Sequence, residues 1–403
     1  VGSPHAAAVR RRTGRDGWPL LFVLSGNMLL DAVEVSVVLV ALPAIGADLG
    51  LDLWSVQWLM SGFALGFAVF LLLGPRLTAA WGLRRSYLVA MLVFAAASLA
   101  GGLSTSMTLL VASRVVKGAC AALTAPAGLA LIGETFPSGP RQRRAVSVYS
   151  MFGAYGFSLG LVLSGVLVAD DWHWTFLFPA PVALLLLAVG HRVIPDVKGQ
   201  APPVFGAALF RNGPLMRAVA GAGSLNGVYI GLLLLATFTM SGSLGWQAWQ
   251  TALALLPACL PLAISVPFAG HLIQRFGTSR LIAAGALLAF AAQLLALALS
   301  GRDSYGGALL PSLLLVGAAF VVSFAALNMQ ATQSTAPALR RAAVPVYQTG
   351  VQIGSVVMLP LVAALLNAPG GQRSALLATS VLAALGLAVA ATGLRTRPGA
   401  GES

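Results

Sequence analysis

Apolar residues in this chain run in stretches of 18 or more, separated by short polar segments. The hydrocarbon core of a bilayer needs about 20 helical residues, so each stretch predicts a membrane-spanning helix. Twelve are predicted, at 19–45, 55–74, 86–105, 107–133, 145–168, 174–193, 214–240, 246–269, 281–300, 305–331, 344–366 and 374–394. The expected fold class is therefore all-α and polytopic, twelve transmembrane helices joined by short connections.

Composition supports this reading. Of 403 residues, 58% are hydrophobic and 9% charged, and the mean hydropathy is +0.88. Soluble domains carry about 25% charged residues. A soluble enzyme, a secreted disulfide scaffold and a disordered chain are excluded. Cys120 and Cys259 both lie in apolar runs, and His5, His173, His191 and His271 stand far apart, so no disulfide framework, metal spacing or cofactor motif is expected. The net charge of +13 does not point to nucleic acid, because the charges sit in loops. Twenty of the 24 basic residues fall on one side of the alternating spans and two, Arg302 and Arg373, on the other. That asymmetry predicts both termini in the cytoplasm. All eight Trp lie at or near span ends, as in an aromatic belt. The first span follows Arg10, Arg11, Arg12 and Arg15, as a signal peptide would. It is too long for one, contains Asp31 and Glu34, and lacks a small-residue cleavage site, so a retained helix is expected.

The longest internal connection, 194–213, divides the spans six and six. The expected organisation is a cytoplasmic tail (1–16), a six-helix half (17–193), the central cytoplasmic loop (194–213) with a short interfacial helix over Val204–Arg211, a second six-helix half (214–397) and a tail (398–403). The halves echo each other. After the second span comes Pro75-Arg76-Leu77-Thr78-Ala79-Ala80-Trp81-Gly82-Leu83-Arg84-Arg85; after the eighth comes Gly270-His271-Leu272-Ile273-Gln274-Arg275-Phe276-Gly277-Thr278-Ser279-Arg280. Leu at the third place, aromatic-Gly at the seventh and eighth, then Arg, recur at a six-helix period. Two such repeats mark a transporter with its site between the halves.

These motifs resemble the major facilitator superfamily, in its drug:proton antiporter style. Leu77, Gly82, Arg84 and Arg85 match the loop signature G-x-L-x-D-R-x-G-R-R. The run from Glu34 to Pro43 resembles D-x-T-x-V-N-V-A-L-P, Trp58 to Phe63 resembles W-x-x-x-x-Y, Arg114 to Gly118 resembles R-x-x-Q-G, and Trp172 to Phe176 resembles W-R-W-x-F. Gly153, Gly156, Gly160 and Gly165 resemble the antiporter glycine motif of the fifth helix. The motifs are most like those of fourteen-span exporters, although twelve spans fit here. The chain departs from the pattern at Pro75, Ala79, Leu161, Leu39 and Glu34, the last replacing Asp.

Four ionisable residues lie deep inside spans: Asp31 and Glu34 in the first, Arg114 and Lys117 in the fourth. Each costs several kcal/mol in lipid, from about 2.5 kcal/mol upward, so each must face a cavity or a partner. The i,i+3 spacing puts each pair on one face, and Asn27 extends the acidic stripe by a turn. Counting residues from the span ends puts Glu34, Arg114 and Lys117 at similar depths. A static buried salt bridge and a proton-coupling site are both open; the resemblance favours the second, since Glu34 matches the family's acidic position and Arg114 its helix 4 Arg. Asn27, Asp31, Glu34, Phe63, Tyr155, Asn226, Tyr229, Gln348 and Gln352 are candidate substrate-binding residues. Arg76, Gly82, Arg84, Arg85, Glu134, Gly270, Arg275, Gly277 and Arg280 are candidate gating residues, with Glu134 placed to pair with Arg84 or Arg85.

The sequence has no phosphate-binding glycine loop followed by Lys and Ser/Thr, no H-E-x-x-H and no G-x-S-x-G, which argues against an ATP-driven pump or a hydrolase. The expected function is proton-coupled export of a hydrophobic drug or antibiotic-like metabolite by a monomer in a bacterial cytoplasmic membrane, with protons, the small molecule and the lipid bilayer as partners. Proton-coupled uptake of a small organic solute and a non-transporting membrane receptor or scaffold are the alternatives.

Overall fold

A computed structural model describes residues 17–197, 203, 205–265, 268–301, 304–336, 339–368 and 370–395. The expected tails 1–16 and 398–403, and residues 198–202 and 204 of the central connection, lie outside the described residues. So do Arg10, Arg11, Arg12, Arg15, Lys198, Arg302 and Arg397 of the charge count.

Among the described residues every regular element is helical. The long helices are α1 (Trp18–Leu49), α2 (Trp58–Trp81), α3 (Leu83–Gly102), α4 (Met107–Thr135), α5 (Pro140–Asp170), α6 (Pro179–Val193), α7 (Gly213–Gly242), α8 (Ala248–Ser265), α9 (Thr278–Ala298), α10 (Leu310–Gln333), α11 (Arg340–Leu366) and α12 (Gly371–Arg395). Short helical turns at Leu53–Val56 and Trp174–Leu177 lead into α2 and α6. With those turns included, eleven helices are long and apolar enough to cross a membrane. Their 20 to 32 residues correspond to about 30–48 Å. The predicted span 246–269 corresponds to the 18-residue α8, which contains Pro257 and Pro261, followed by Ala269–Phe276. The expected interfacial helix in the central connection is a single turn, Ala207–Phe210.

The helix ends follow local chemistry. Asp52 caps Leu53–Val56 by accepting the Ser55 N–H at 3.0 Å, and Asn212 caps α7 by accepting the Leu215 N–H at 3.0 Å. One expectation is corrected. The segment 75–85, read as a loop, is helical through Trp81, because nothing after Pro75 breaks the helix until Gly82. Gly82 adopts φ 81°, ψ 156°, a conformation open to glycine alone. Gly277, its counterpart in the repeated motif, adopts φ 77°, ψ 155°. The internal repeat is thus reproduced in the backbone, and each Gly starts the following helix.

The described residues within Val1–Leu51, Trp58–Pro202 and Ala248–Leu253 form one compact unit, and those within Asp52–Gln57, Pro203–Gln247 and Ala254–Ser403 another. In the first, α1 packs on α5, and α2 on α4; in the second, α7 packs on α11, and α9 on α10.

Candidate functional site

Small residues bring the backbones of the first unit together. A Cβ on Gly118 of α4 would overlap the Phe63 carbonyl of α2, and one on Gly66 would overlap the Val115 carbonyl. On the other side of the unit, a Cβ on Gly156 of α5 would stand 2.7 Å from Leu29 O, and one on Gly160 2.7 Å from Val33 O, both on α1. Gly153 faces Met28, and Gly165 faces Trp249 and Ala252. Ser164 donates to Val37 O at 2.5 Å. Gly153, Gly156 and Gly160 of the α5 motif therefore form a close-packed seam against α1, and Gly165 one against α8, the role small residues play between membrane helices.

The α1 face opposite α4 carries the charges. Glu34, Arg114 and Lys117 are fully buried. Arg114 Nη1 donates to Glu34 Oε2, Nη2 to Glu34 O at 2.9 Å, and Nε to Leu59 O at 2.9 Å. Lys117 Nζ stands 2.6 Å from Glu34 Oε1. One carboxylate thus serves two cations, one on each oxygen. Aromatic faces complete the enclosure: Phe63 lies 4.7 Å from the Arg114 guanidinium, and Phe94 and Phe176 lie 5.3 and 5.5 Å from the Lys117 ammonium.

Asp31 is separate from this group although it lies one turn away. It is 7% exposed and forms no ion pair among the described residues. Asn27 Nδ2 and Thr124 Oγ1 both donate to its Oδ2, each at 3.0 Å. The four charges sum to zero, yet they divide into a three-residue ion cluster and a carboxylate held by neutral donors.

Among the described residues of the second unit there is no comparable buried charge. Asn226 of α7 donates to Val351 O at 2.9 Å and Ser355 Oγ at 2.7 Å, tying α7 to α11. Gln348 and Gln352 are half-buried on α11. Tyr229 is buried, 4.8 Å from the Phe320 ring, which stacks on Phe324. In the first unit Tyr155 is 41% exposed, away from the ion cluster's enclosure.

The family model described as Major Facilitator Superfamily matches residues 24–358, with a second match over 260–403. The chain belongs to the major facilitator superfamily. It is 37% identical over 192 residues to the puromycin resistance protein pur8 of Streptomyces alboniger, covering 47% of this chain and 38% of that protein. It is 37% identical over 216 residues to the lincomycin resistance protein of Streptomyces lincolnensis (52% and 44%). It is 26% identical over 331 residues to the tetracenomycin C resistance and export protein of Streptomyces glaucescens (67% and 61%). Each match spans less than two thirds of the relative's length. Among solved structures, a bacterial homologue of the human lysosomal transporter Spinster, inward-facing and unoccupied, superposes with TM-score 0.77 at 16% identity over 98% of both chains. The nucleoside transporter NupG gives 0.73 at 12%, over 93% of this chain and 99% of that one. At these identities the likeness is of fold alone.

In this facilitator the signature loop residues are placed as follows. Arg84 Nη2 donates to His191 O at 2.6 Å, and Leu83 N to Val197 O at 3.1 Å, so the start of α3 is fastened to the end of α6. Arg85 lies over the Trp81 ring. Neither of these contacts involves Glu134. Arg76, Arg275 and Arg280 are exposed, Arg275 over the Phe276 ring, and Gly270 is open to its surroundings. Outside the spans, hydrogen bonds from Ser55 and then Asn367 hold the Asp52 carboxyl below its ordinary 3.8, and those from the His173 backbone and ring do the same for Asp171. Sequence reasoning singled out neither Thr124 nor Phe94, and it marked Phe176 as part of a motif but not as a neighbour of Lys117. Thr124 was accessible to it: it follows Lys117 by seven residues, two turns along the same face of α4.

Proposed function

We propose that this chain is a proton-coupled secondary transporter that exports a hydrophobic drug or antibiotic-like metabolite by alternating access. The observation that carries the reading is the buried set Asp31, Glu34, Arg114 and Lys117 on α1 and α4. Charges at that depth are costly and mark ion or proton pathways in membrane proteins. Family membership and the resistance and export proteins among the relatives support the direction of transport. The seam between α5 and α1 supports antiport by closing a leak path along the helices that carry the charges. The protein sits in a bacterial cytoplasmic membrane as a monomer, with the Arg-rich loop around Gly82 on the cytoplasmic side.

The candidate substrate-binding residues are Asn27, Asp31, Phe63 and Tyr155 in the first unit and, separately, Asn226, Tyr229, Gln348 and Gln352 in the second. Glu134, Arg76, Arg84 and Arg85 are the candidate gating residues of the first unit, with Gly82 as its turn, and Arg275 and Arg280 those of the second, with Gly277. The test is a resistance and accumulation screen with chemically diverse compounds in an efflux-deficient bacterium, followed by transport in oriented vesicles under an imposed pH gradient. Compound movement against its gradient, driven by inward protons, is expected. Proton-driven accumulation in the opposite direction would replace export by uptake, and absence of any coupled flux would refute transport.

A further inference from the structure

The two carboxylates of α1 differ in how their oxygens are occupied. Glu34 has none to spare: Oε2 accepts from Arg114 and Oε1 faces Lys117 at 2.6 Å. A proton arriving at either oxygen displaces a buried cation. Asp31 is arranged the other way. Both donors converge on Oδ2, Asn27 Nδ2 at 3.0 Å and Thr124 Oγ1 at 3.0 Å. Oδ1 accepts no hydrogen bond from any described residue, although the side chain is 93% withdrawn from solvent, being 7% exposed.

We propose that Oδ1 of Asp31 is the proton-binding atom of this protein, with Asn27 and Thr124 as positioning residues and Glu34 as the fixed counter-ion of Arg114 and Lys117. The proposal rests on the proton-coupled reading above and names the group within it. A proton from water forms the Oδ1–H bond and leaves Oδ2 as a carbonyl oxygen. That oxygen still accepts from Asn27 and Thr124, so the change of charge breaks no hydrogen bond. Release of the proton to water restores the carboxylate on the same two donors.

Thr124 adds tolerance. Its single hydroxyl proton also lies within reach of Cys120 O at 3.2 Å and Ala121 O at 3.3 Å. The hydroxyl keeps a partner if Asp31 moves away between conformations. The titratable groups that face Asp31 are Glu34 on its own helix, Cys120 on α4, Tyr87 on α3 and Tyr149 on α5, while Arg114 and Lys117 of α4 are turned to Glu34. Tyr149 is committed to Ala125 O at 2.9 Å. The titratable residues of α2 and α6, namely Arg76, His191 and Arg192, lie at or beside their loop ends.

The experiment is infrared difference spectroscopy of the purified full chain in lipid nanodiscs, titrated between about pH 4 and 9, the range in which shifted carboxyls and histidines change charge. A protonated-carboxyl carbonyl band that appears with falling pH is expected. It disappears in Asp31→Asn and persists in the charge-balanced double variant Glu34→Gln with Lys117→Gln. In Thr124→Val the band moves to higher frequency, because a hydrogen bond to the carbonyl oxygen is lost; Thr124→Ser restores it. A purely structural role for Thr124 would leave the frequency unchanged. The proposal is overturned if the band survives Asp31→Asn, if it vanishes in the double variant, if Thr124→Val leaves it in place, or if no carboxyl band titrates. The readout does not depend on transport. An Asp31 band that behaves as described in a protein that moves no compound supports the proton site and defeats the export reading.

Discussion

Replacing Glu34 by Gln tests the ion cluster most directly. The amide keeps the shape and removes the charge that both Arg114 and Lys117 face. Arg114 retains two backbone acceptors, Glu34 O and Leu59 O, each at 2.9 Å. Among the described residues Lys117 retains the rings of Phe94 and Phe176, which it already has in the parent protein. The cost therefore falls on a stranded buried ammonium. Breaking a buried pair by removing one partner costs about 3–5 kcal/mol. That is roughly a hundredfold to several thousandfold in the folding equilibrium. Adding Lys117→Gln removes the stranded charge. The double variant is expected to recover part of the loss, leaving about 1.5–3 kcal/mol for the weakened charge-assisted bond to Arg114. Asp31→Asn is expected to cost less than about 1 kcal/mol, since the amide oxygen accepts the same two hydrogen bonds. The assay is equilibrium unfolding in mixed micelles of increasing dodecyl sulfate content, followed by the fluorescence of the eight Trp. The reasoning is refuted if Glu34→Gln is as stable as the parent, if the double variant is no more stable than the single, or if Asp31→Asn is the costlier of the two acidic substitutions.

Gly160→Ala places a Cβ against Ser36 Oγ and 2.7 Å from Val33 O, both on α1, and is expected to destabilise by about 1–3 kcal/mol in the same unfolding assay. Gly133→Ala, whose Cβ meets only Gln142 Nε2 at 3.8 Å, is the tolerated control. The Asp52 cap is expected to be pH-dependent with a definite sign: its carboxyl is held below 3.8, so the cap is complete above that pH and is lost as pH falls through the lowered value. Asp52→Asn keeps an oxygen for Ser55 N and removes the dependence, which amide exchange at Ser55 measures. For topology, a single Cys at the exposed Ala47 is expected to react with an impermeant reagent from outside and one at the exposed Ala80 only after permeabilisation, in a background lacking Cys120 and Cys259, which are buried. The reverse labelling pattern overturns the orientation.

The fold was legible because lipid imposes one constraint on every span: about 20 apolar residues with all backbone groups paired internally. Run lengths therefore located eleven crossing helices to within a few residues, and the aromatic-Gly repeat anticipated the matched backbone of Gly82 and Gly277. Boundaries shifted where no hydrophobic signal operates. α2 runs past Pro75 to Trp81 because continuation of a helix beyond the lipid depends on breakers, and Gly82 is the first effective one. At the site, i,i+3 spacing and depth along α1 and α4 brought Glu34, Arg114 and Lys117 to one level. The partition among the four charges was not legible. Which oxygen meets which cation depends on the rotation of α1 about its axis, and that is set by the packing of Gly156 and Gly160 on its other side, not by the charges.

Two departures from the family's pattern meet at that partition. The resembled helix 4 motif has Gln where this chain has Lys117, and Asp31 corresponds to no signature position. Lys117 adds one buried positive charge and Asp31 one buried negative charge. Either alone leaves a formal net charge across α1 and α4, although Asp31 stands outside the ion cluster and its removal breaks no pair. Together they restore neutrality across α1 and α4, but not by pairing with each other. Lys117 takes the second oxygen of Glu34, which the Gln of the resembled motif would leave to a neutral donor. With that oxygen occupied, proton uptake at Glu34 would strand a cation. At Asp31, where Asn27 and Thr124 crowd onto one oxygen and leave the other open, it strands nothing. On the proton-coupled reading, the added lysine is what moves proton exchange from the signature acid to the aspartate one turn below it.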